Sequence, residues 1–318
     1  MKTAWRNRID RQWSADRLRR HSWTLFRFLL IAGLAFIIVQ PILIEISSSF
    51  KGLSDLYDGS VFLFPKNPTW KNYVDVWKYL EYPSRLAYTV AYCLLCATLQ
   101  VVSCSLVAYG IARFNFRAKK MILGMAIATI VVPIQTVLLP QFLQFHYFSP
   151  ITMFTLGNVL KGVNLIGTPI PLIILSATGV AFKNGLFIFM LRQYYRNLPK
   201  ELEEVASIDG CGFFKTYVRI ITPGAATMMM TVLLFAFVFQ WNDYFFTTVL
   251  TPGLNVFSTV IVNIGESIAV TQGIWFGNMQ EMLYDSAALI LFILPLIILY
   301  SFTQRFFVQS IERSGIVG

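Results

Sequence analysis

Charge is what this sequence has least of. Of 318 residues, 16 are Asp or Glu and 26 are Lys or Arg, so charged residues make up 13% against 56% hydrophobic, with a mean hydropathy of +0.61. A soluble domain needs more charge than that to cover its surface, so the bilayer must solvate much of the chain. Histidine is nearly absent, and His21 and His146 lie outside the long apolar runs. No H-E-x-x-H, G-x-S-G or G-x-G-D occurs, which sets an intramembrane enzyme aside, and no catalytic residue is expected. Nor is there a G-x-x-x-x-G-K-[ST], so the chain cannot supply a nucleotide-phosphate site of its own. Cysteine is scarce too. Cys93, Cys96 and Cys104 fall in one apolar run and Cys211 in a polar loop, which does not suit a disulfide framework. Cys93 and Cys96 form a C-x-x-C inside that run, where small cysteines are packing residues, so no metal and no redox role is expected.

What is present is length in the apolar runs. A hydrocarbon core of ~30 Å needs about 20 apolar residues per helix. Stretches 25–46, 86–111, 121–142, 171–191, 225–246 and 286–307 meet that length, so an all-α membrane protein with six transmembrane helices is expected. The runs are continuously apolar and do not alternate, which argues against a transmembrane barrel. Bases then orient the chain. Lys2, Arg6, Arg8, Arg11, Arg17, Arg19 and Arg20 precede the first run, Arg113, Arg117, Lys119 and Lys120 follow the second, and Arg192, Arg196, Lys200, Lys215 and Arg219 follow the fourth. Lys161 is the only base between the third and fourth runs, and none occurs from Thr247 to Asp285. The positive-inside rule therefore puts both termini in the cytoplasm. The net charge of +10 is mostly this topology signal, and with no soluble basic face no nucleic-acid partner is expected. The first run is about twice a usual signal-peptide h-region and no A-x-A follows it, so it reads as an uncleaved anchor. The organisation expected is a basic cytoplasmic segment at 1–24, a permease-like membrane domain at 25–308 and a cytoplasmic tail at 309–318. Trp5, Ile9, Trp13 and Leu18 among the N-terminal arginines suit either an amphipathic helix at the headgroups or a disordered basic tail.

The loop at 198–223 is the most informative stretch. It reads Leu198-Pro199-Lys200-Glu201-Leu202-Glu203-Glu204-Val205-Ala206-Ser207-Ile208-Asp209-Gly210 and continues to Ile220-Ile221-Thr222-Pro223. Pro199 suits the first position of a helix. Glu201, Glu203 and Glu204 favour its positive end, and Gly210 stands where it would stop with φ > 0. A second short helix follows, with Phe214, Tyr217, Val218 and Ile221 on one stripe. The spacing predicts a rigid helix–turn–helix bracket on the cytoplasmic face.

This loop resembles the coupling loop of binding-protein-dependent ABC importer permeases of the maltose type, whose pattern is E-A-A-x-x-x-G followed by I-x-L-P. Glu204, Ala206, Gly210, Ile220 and Pro223 stand at those positions, with Val205 for the first Ala, Thr222 for the Leu, and Asp209 before the Gly as in the carbohydrate branch. Ser48-Ser49-Phe50-Lys51, Pro68-Thr69-Trp70-Lys71-Asn72-Tyr73, Arg192-Gln193, Trp241-Asn242-Asp243-Tyr244 and Gln304-Arg305-Phe306 agree along the chain. The resemblance implies a type I importer permease in a bacterial inner membrane. It implies a second homologous permease as heterodimer partner, two ATPase subunits that bind ATP and Mg, and an extracytoplasmic solute-binding protein that delivers a carbohydrate. Glu204, Ala206, Asp209 and Gly210 are then the ATPase-coupling residues, Ala206 keeping the contact face flat. The tail from Gln309 resembles one that reaches into the ATPase dimer, but Glu312, Arg313 and Ser314 interrupt its small-residue pattern, so insertion and a solvated tail both stay open. An ion-coupled secondary transporter and an ABC permease for a glycerol-phosphate-like solute are the rival readings.

Polar residues at membrane depth are costly and tend to face a cavity or a partner. Trp241, Asn242 and Asp243 cluster in the fifth run, where the resemblance makes the cluster common to many substrates and so favours helix packing over substrate contact. Pro133, Pro140, Pro169 and Pro171 mark kinks or unwound ends. Lys183 and Asn184 are the unusual pair. Lys183 lies about 12 Å from the end of the fourth run at 1.5 Å per residue, near the midplane. It either pairs with a group such as Asp243, or snorkels on its long stem, or lines the path with Asn184, where it suits an acidic, uronate-containing oligosaccharide or a phosphorylated polyol.

Overall fold

The computed structural model describes residues 2–149, 162–273 and 279–315, with side chains given from residue 20 to residue 304 within them. Lys161 and the end of the tail lie outside the described residues. Everything described is helix and connection, apart from one antiparallel bridge between Phe148 and Val163.

Helix α1 (Lys2–Ser49) carries the basic segment and the first apolar run as one continuous rod. After α2 (Leu53–Tyr57) and α3 (Lys71–Tyr79) comes α4 (Tyr82–Arg113), 32 residues long. Then follow α5 (Lys119–Val131), α6 (Ile134–His146), α7 (Ile170–Thr178), α8 (Asn184–Asn197) and α9 (Glu201–Ile208). Beyond Gly210 lie α10 (Phe213–Thr216), a five-residue π-helix (Tyr217–Ile221) and α11 (Thr222–Gly224). The chain continues through α12 (Ala226–Trp241), α13 (Phe245–Leu250), α14 (Phe257–Val260), α15 (Ile264–Thr271) and α16 (Met279–Gly315).

Six uninterrupted spans are not what forms. Among the described residues three helical stretches, Arg20–Ser49, Tyr82–Arg113 and Met279–Gln304, are long and apolar enough to cross a bilayer alone. Two bent pairs raise that to five if each is one span: α5 with α6 at 107°, and Phe213–Gly224 with α12 at 80°. The first bend has a plain cause. Pro133 lacks an N–H and its ring disfavours helical backbone at Val132, which is extended at ψ 126°. The fourth expected span is cut at residues 179–183: α7 ends at Gly179 with φ +75°, and α8 begins after Lys183, itself at φ +70°. Hydropathy averaged over a window runs across such a break. Pro140 stays inside α6, and Pro169 stands at the start of α7.

The chain divides into two compact units, Met1–Val76 with Ile264–Ile290, and Trp77–Asn263 with Leu291–Gly318. In the first, two motif fragments from the sequence meet. Asn72 donates to the carbonyls of Ser49 and Lys51, both at 2.9 Å, the Ser49 and Tyr73 hydroxyls lie 2.7 Å apart, and Phe50 packs edge-on against Trp70. On the same loop a hydrogen bond from Lys66 holds the exposed Asp58 carboxyl below the usual range. The second unit is built on α4, which packs against α7, α8 and α12. Thr89, Cys93, Ala97, Val101, Ser105 and Tyr109 recur every fourth residue along it and are all buried. Tyr92, Cys96, Phe145, Leu175, Phe246 and Leu250 form the core between α4, α6, α7 and α13. Cys93, Cys96 and Cys104 are buried free thiols.

Candidate functional site

The bracket at 198–223 folds as its residues dictate. Glu201, Glu203 and Glu204 fill the first turn of α9. Pro199 stands before the cap Lys200, two residues earlier than the sequence suggests. Gly210 has φ +73°. The Cys211 N–H reaches the Ala206 carbonyl at 2.8 Å and the Gly210 N–H reaches Ser207 at 3.1 Å, the two bonds of a Schellman turn. Beyond it the π-helix interrupts the return path; single wide turns of this kind often mark functional sites.

The two faces of α9 differ. Leu202, Val205 and Ile208 point outward at 41%, 57% and 85% exposure, with Glu204, Asp209 and Gly210 also exposed beside them. Ala206 points the other way and is buried, so its small size serves close packing inside the chain, not a flat outer face. Glu203 also points inward. Its Oε1 accepts the Tyr109 hydroxyl at 2.9 Å and lies 3.1 Å from Arg113 Nε, an ion pair whose angle is not that of a hydrogen bond. Arg113 Nη2 donates to the Leu198 carbonyl at 2.8 Å. One turn back, the Ser105 hydroxyl meets the hydroxyls of Tyr195 and Tyr217, both at 2.6 Å. The sequence marks Arg113 only as a topology charge and Glu203 only as a helix-end carboxylate, and it does not mark Tyr109. The one available signal was the i, i+4, i+8 spacing of Ser105, Tyr109 and Arg113.

The membrane-depth residues separate. Asp243 lines a small cavity with Gln100, Ser176, Gln240, Phe182 and Phe239. Lys183 Nζ lies over the rings of Phe182 and Phe239, 4.3 and 5.7 Å from their centroids. The Lys183–Asp243 pair does not form. Asp243 instead accepts from the Thr247 N–H at 3.0 Å and the Thr247 hydroxyl at 2.7 Å, capping α13. Among the described residues Lys183 has no carboxylate partner. The Asn184 side-chain amide is buried and unbonded at both ends, as is the Trp241 indole N–H. Trp241 sits in an aromatic cluster with Phe237, Phe257 and Phe292, whereas Asn242 faces outward and donates to Val238. Gln100, Ser176 and Gln240 had no motif to mark them.

The family described as binding-protein-dependent transport system inner membrane component matches residues 102–313. The inner membrane ABC transporter permease protein YcjP of Escherichia coli (strain K12) is 25% identical over 93% of this chain and 98% of its own length. The galactooligosaccharides transport system permease protein GanQ of Bacillus subtilis (strain 168) is 26% identical over 95% and 98%. Among solved structures, a bacterial ABC transporter involved in the import of the acidic polysaccharide alginate shares the fold, with a TM-score of 0.67 at 20% identity over 90% of this chain and 96% of that one.

Proposed function

The chain belongs to the family of binding-protein-dependent transport system inner membrane components, and from that membership we propose that it is the permease subunit of an ATP-driven carbohydrate importer. It is a multi-pass inner-membrane protein. Base asymmetry supports cytoplasmic ends and six crossings, the broken 170–197 stretch counting as one. It works with a second permease subunit, two ATPase subunits that hold ATP and Mg, and an extracytoplasmic solute-binding protein. Hydrolysis takes place on the ATPases, and this chain converts their closure into helix movement.

The observation that carries this reading is the bracket: a short helix, a Schellman turn at Gly210, and an unpartnered apolar edge of Leu202, Val205 and Ile208 flanked by Glu204 and Asp209. Such an edge suits a cleft on a partner, where buried apolar side chains supply affinity and rim carboxylates take charge-assisted hydrogen bonds. Ile208→Arg is expected to remove at least nine-tenths of the ATPase subunits that copurify with the chain, at unchanged membrane level. Undiminished copurification rejects the docking reading.

The substrate proposed is an acidic, uronate-containing oligosaccharide. Among the described residues Lys183 is a cation without a carboxylate partner, set at a helix break beside a cavity with Gln100, Ser176 and Asp243. A fold relative named for alginate import and a relative named for galactooligosaccharides agree with a sugar polymer. Lys183, Asn184, Trp241, Asn242 and Asp243 are proposed to border the path, Asn184 offering the unbonded amide that a sugar hydroxyl would satisfy. A charge-assisted hydrogen bond contributes about 1.5–3 kcal/mol. Lys183→Met is therefore expected to lower uptake of an oligouronate at least tenfold, with neutral oligosaccharide uptake and complex assembly unchanged. Equal uptake of both sugars before and after the change removes the acidic preference.

A further inference from the structure

All parts of the bracket converge on one face of α4. Leu198 and Tyr195 come from the end of α8, Glu203 from α9, Phe213 from α10 and Tyr217 from the π-helix. They meet Ser105, Tyr109 and Arg113, which lie on one stripe of α4. The Tyr109 ring is enclosed, stacking on Phe213 at 5.2 Å and packing against Tyr217 at 5.1 Å and Tyr195 at 5.6 Å. The Arg113 side chain is 7% exposed and Glu203 27%, so this pair is shielded from the screening that weakens surface pairs.

The middle of the same helix reaches the break. Ser103 donates to the Ser176 carbonyl at 2.8 Å at the end of α7 and sits 3.8 Å from where a Cβ on Gly179 would be. Gln100 donates to the Ser176 hydroxyl, and further along the Phe257 N–H donates to Thr89. At 1.5 Å per residue α4 is a rod roughly 48 Å long. It touches the bracket at one end and the cavity of Gln100, Ser176 and Asp243 along its middle.

We infer that Glu203 is the positioning residue that pins the bracket to α4, through Arg113 and Tyr109, so that bracket and rod move as one body. Glu204, its neighbour in sequence, stands about 100° away around the helix and is free for a partner. Aromatic packing alone leaves α9 able to roll on Tyr109. The ion pair and the two hydrogen bonds at Glu203 and Leu198 remove that freedom, because a buried charge left unpaired is costly. A push on the apolar edge of α9 is then delivered to the α7–α8 break.

The inference rests on the docking reading, and the two fail differently: Ile208→Arg tests docking whatever Glu203 does. Spin labels at Lys200→Cys, before α9, and Leu94→Cys, on α4, report the joint in the purified complex with its ATPase subunits. Cys211→Ser removes the one partly exposed native thiol. Between the nucleotide-free and the ATP–vanadate-trapped complex, the label distance is expected to hold within about 2 Å, the size of a single helix shift. Glu203→Gln keeps the Tyr109 bond and the side-chain shape but loses the charge. It is expected to make the distance nucleotide-dependent while ATP hydrolysis stays within about twofold. A merely structural role would lower complex yield without a nucleotide-dependent distance. A distance that already moves with the native pair, or one that stays fixed in Glu203→Gln, overturns the inference.

Discussion

Replacing Gly210 by valine is expected to abolish uptake while the chain stays in the membrane at its normal level. A Cβ built at Gly210 meets nothing within 4 Å, so no clash enters the result. The penalty lies wholly in the backbone, which has φ +73° there. A left-handed residue costs an ordinary L-amino acid roughly 1–2 kcal/mol, and a β-branched one is a genuine outlier in that region. The strain is relieved by moving φ below zero, and that breaks the bonds from Cys211 to Ala206 and from Gly210 to Ser207. With them goes the fixed angle between α9 and α10, and the edge of Leu202, Val205 and Ile208 swings away from its docking direction. Gly210→Asn is the discriminating control, since asparagine tolerates the left-handed region through local hydrogen bonds. It is expected to keep at least half of uptake. Oligouronate uptake, normalised to chain in the membrane, reads both variants. Full uptake by Gly210→Val removes the claim that the turn positions the bracket.

That turn was legible in the sequence because only one residue type performs it well. The same holds for the first loop, where Asn72 and Trp70 close on Ser49 and Phe50 from separate fragments. Glu203 was not legible, because three glutamates crowd the first turn of α9 and their division between inward and outward depends on where α4 lies. Tertiary placement decides that, and no local pattern carries it. The break before Lys183 was illegible for a different reason. A 21-residue apolar run satisfies the length rule for a span, yet Gly179 and the αL backbone at Lys183 split it into helices of 9 and 14 residues. The Pro133 bend was expected as a kink, but its size, 107°, depends on what the two arms pack against.

A side chain at Gly185 has a severe steric consequence in the chain's second unit. It lies two residues past the break, on the face of α8 that packs on α5. A Cβ there would fall 2.1 Å from the Ala126 carbonyl oxygen and 2.3 Å from Thr129 Oγ1. The first of these atoms is backbone, so no rotamer change relieves it, and α5 and α8 must separate. In a membrane small residues set how closely helices approach, because dispersion and hydrogen bonds hold them together without a water-driven term. Separation therefore loses contact along the whole pair, and α8 carries both the buried Asn184 amide and the strand of chain that leads into α9. Gly185→Val is expected to lower the amount of chain in the membrane several-fold, the range in which 1–2 kcal/mol alters abundance. Gly185→Ala should lie between it and the native chain. Gly124 on α5 supplies the control: a Cβ there meets nothing within 4 Å, and alanine should improve local helix propensity if it does anything. Quantitative immunoblots of membranes, with thermal melting of the detergent-solubilised chain, read all three. Normal abundance and melting for Gly185→Val would mean that α5 and α8 do not approach as closely as described.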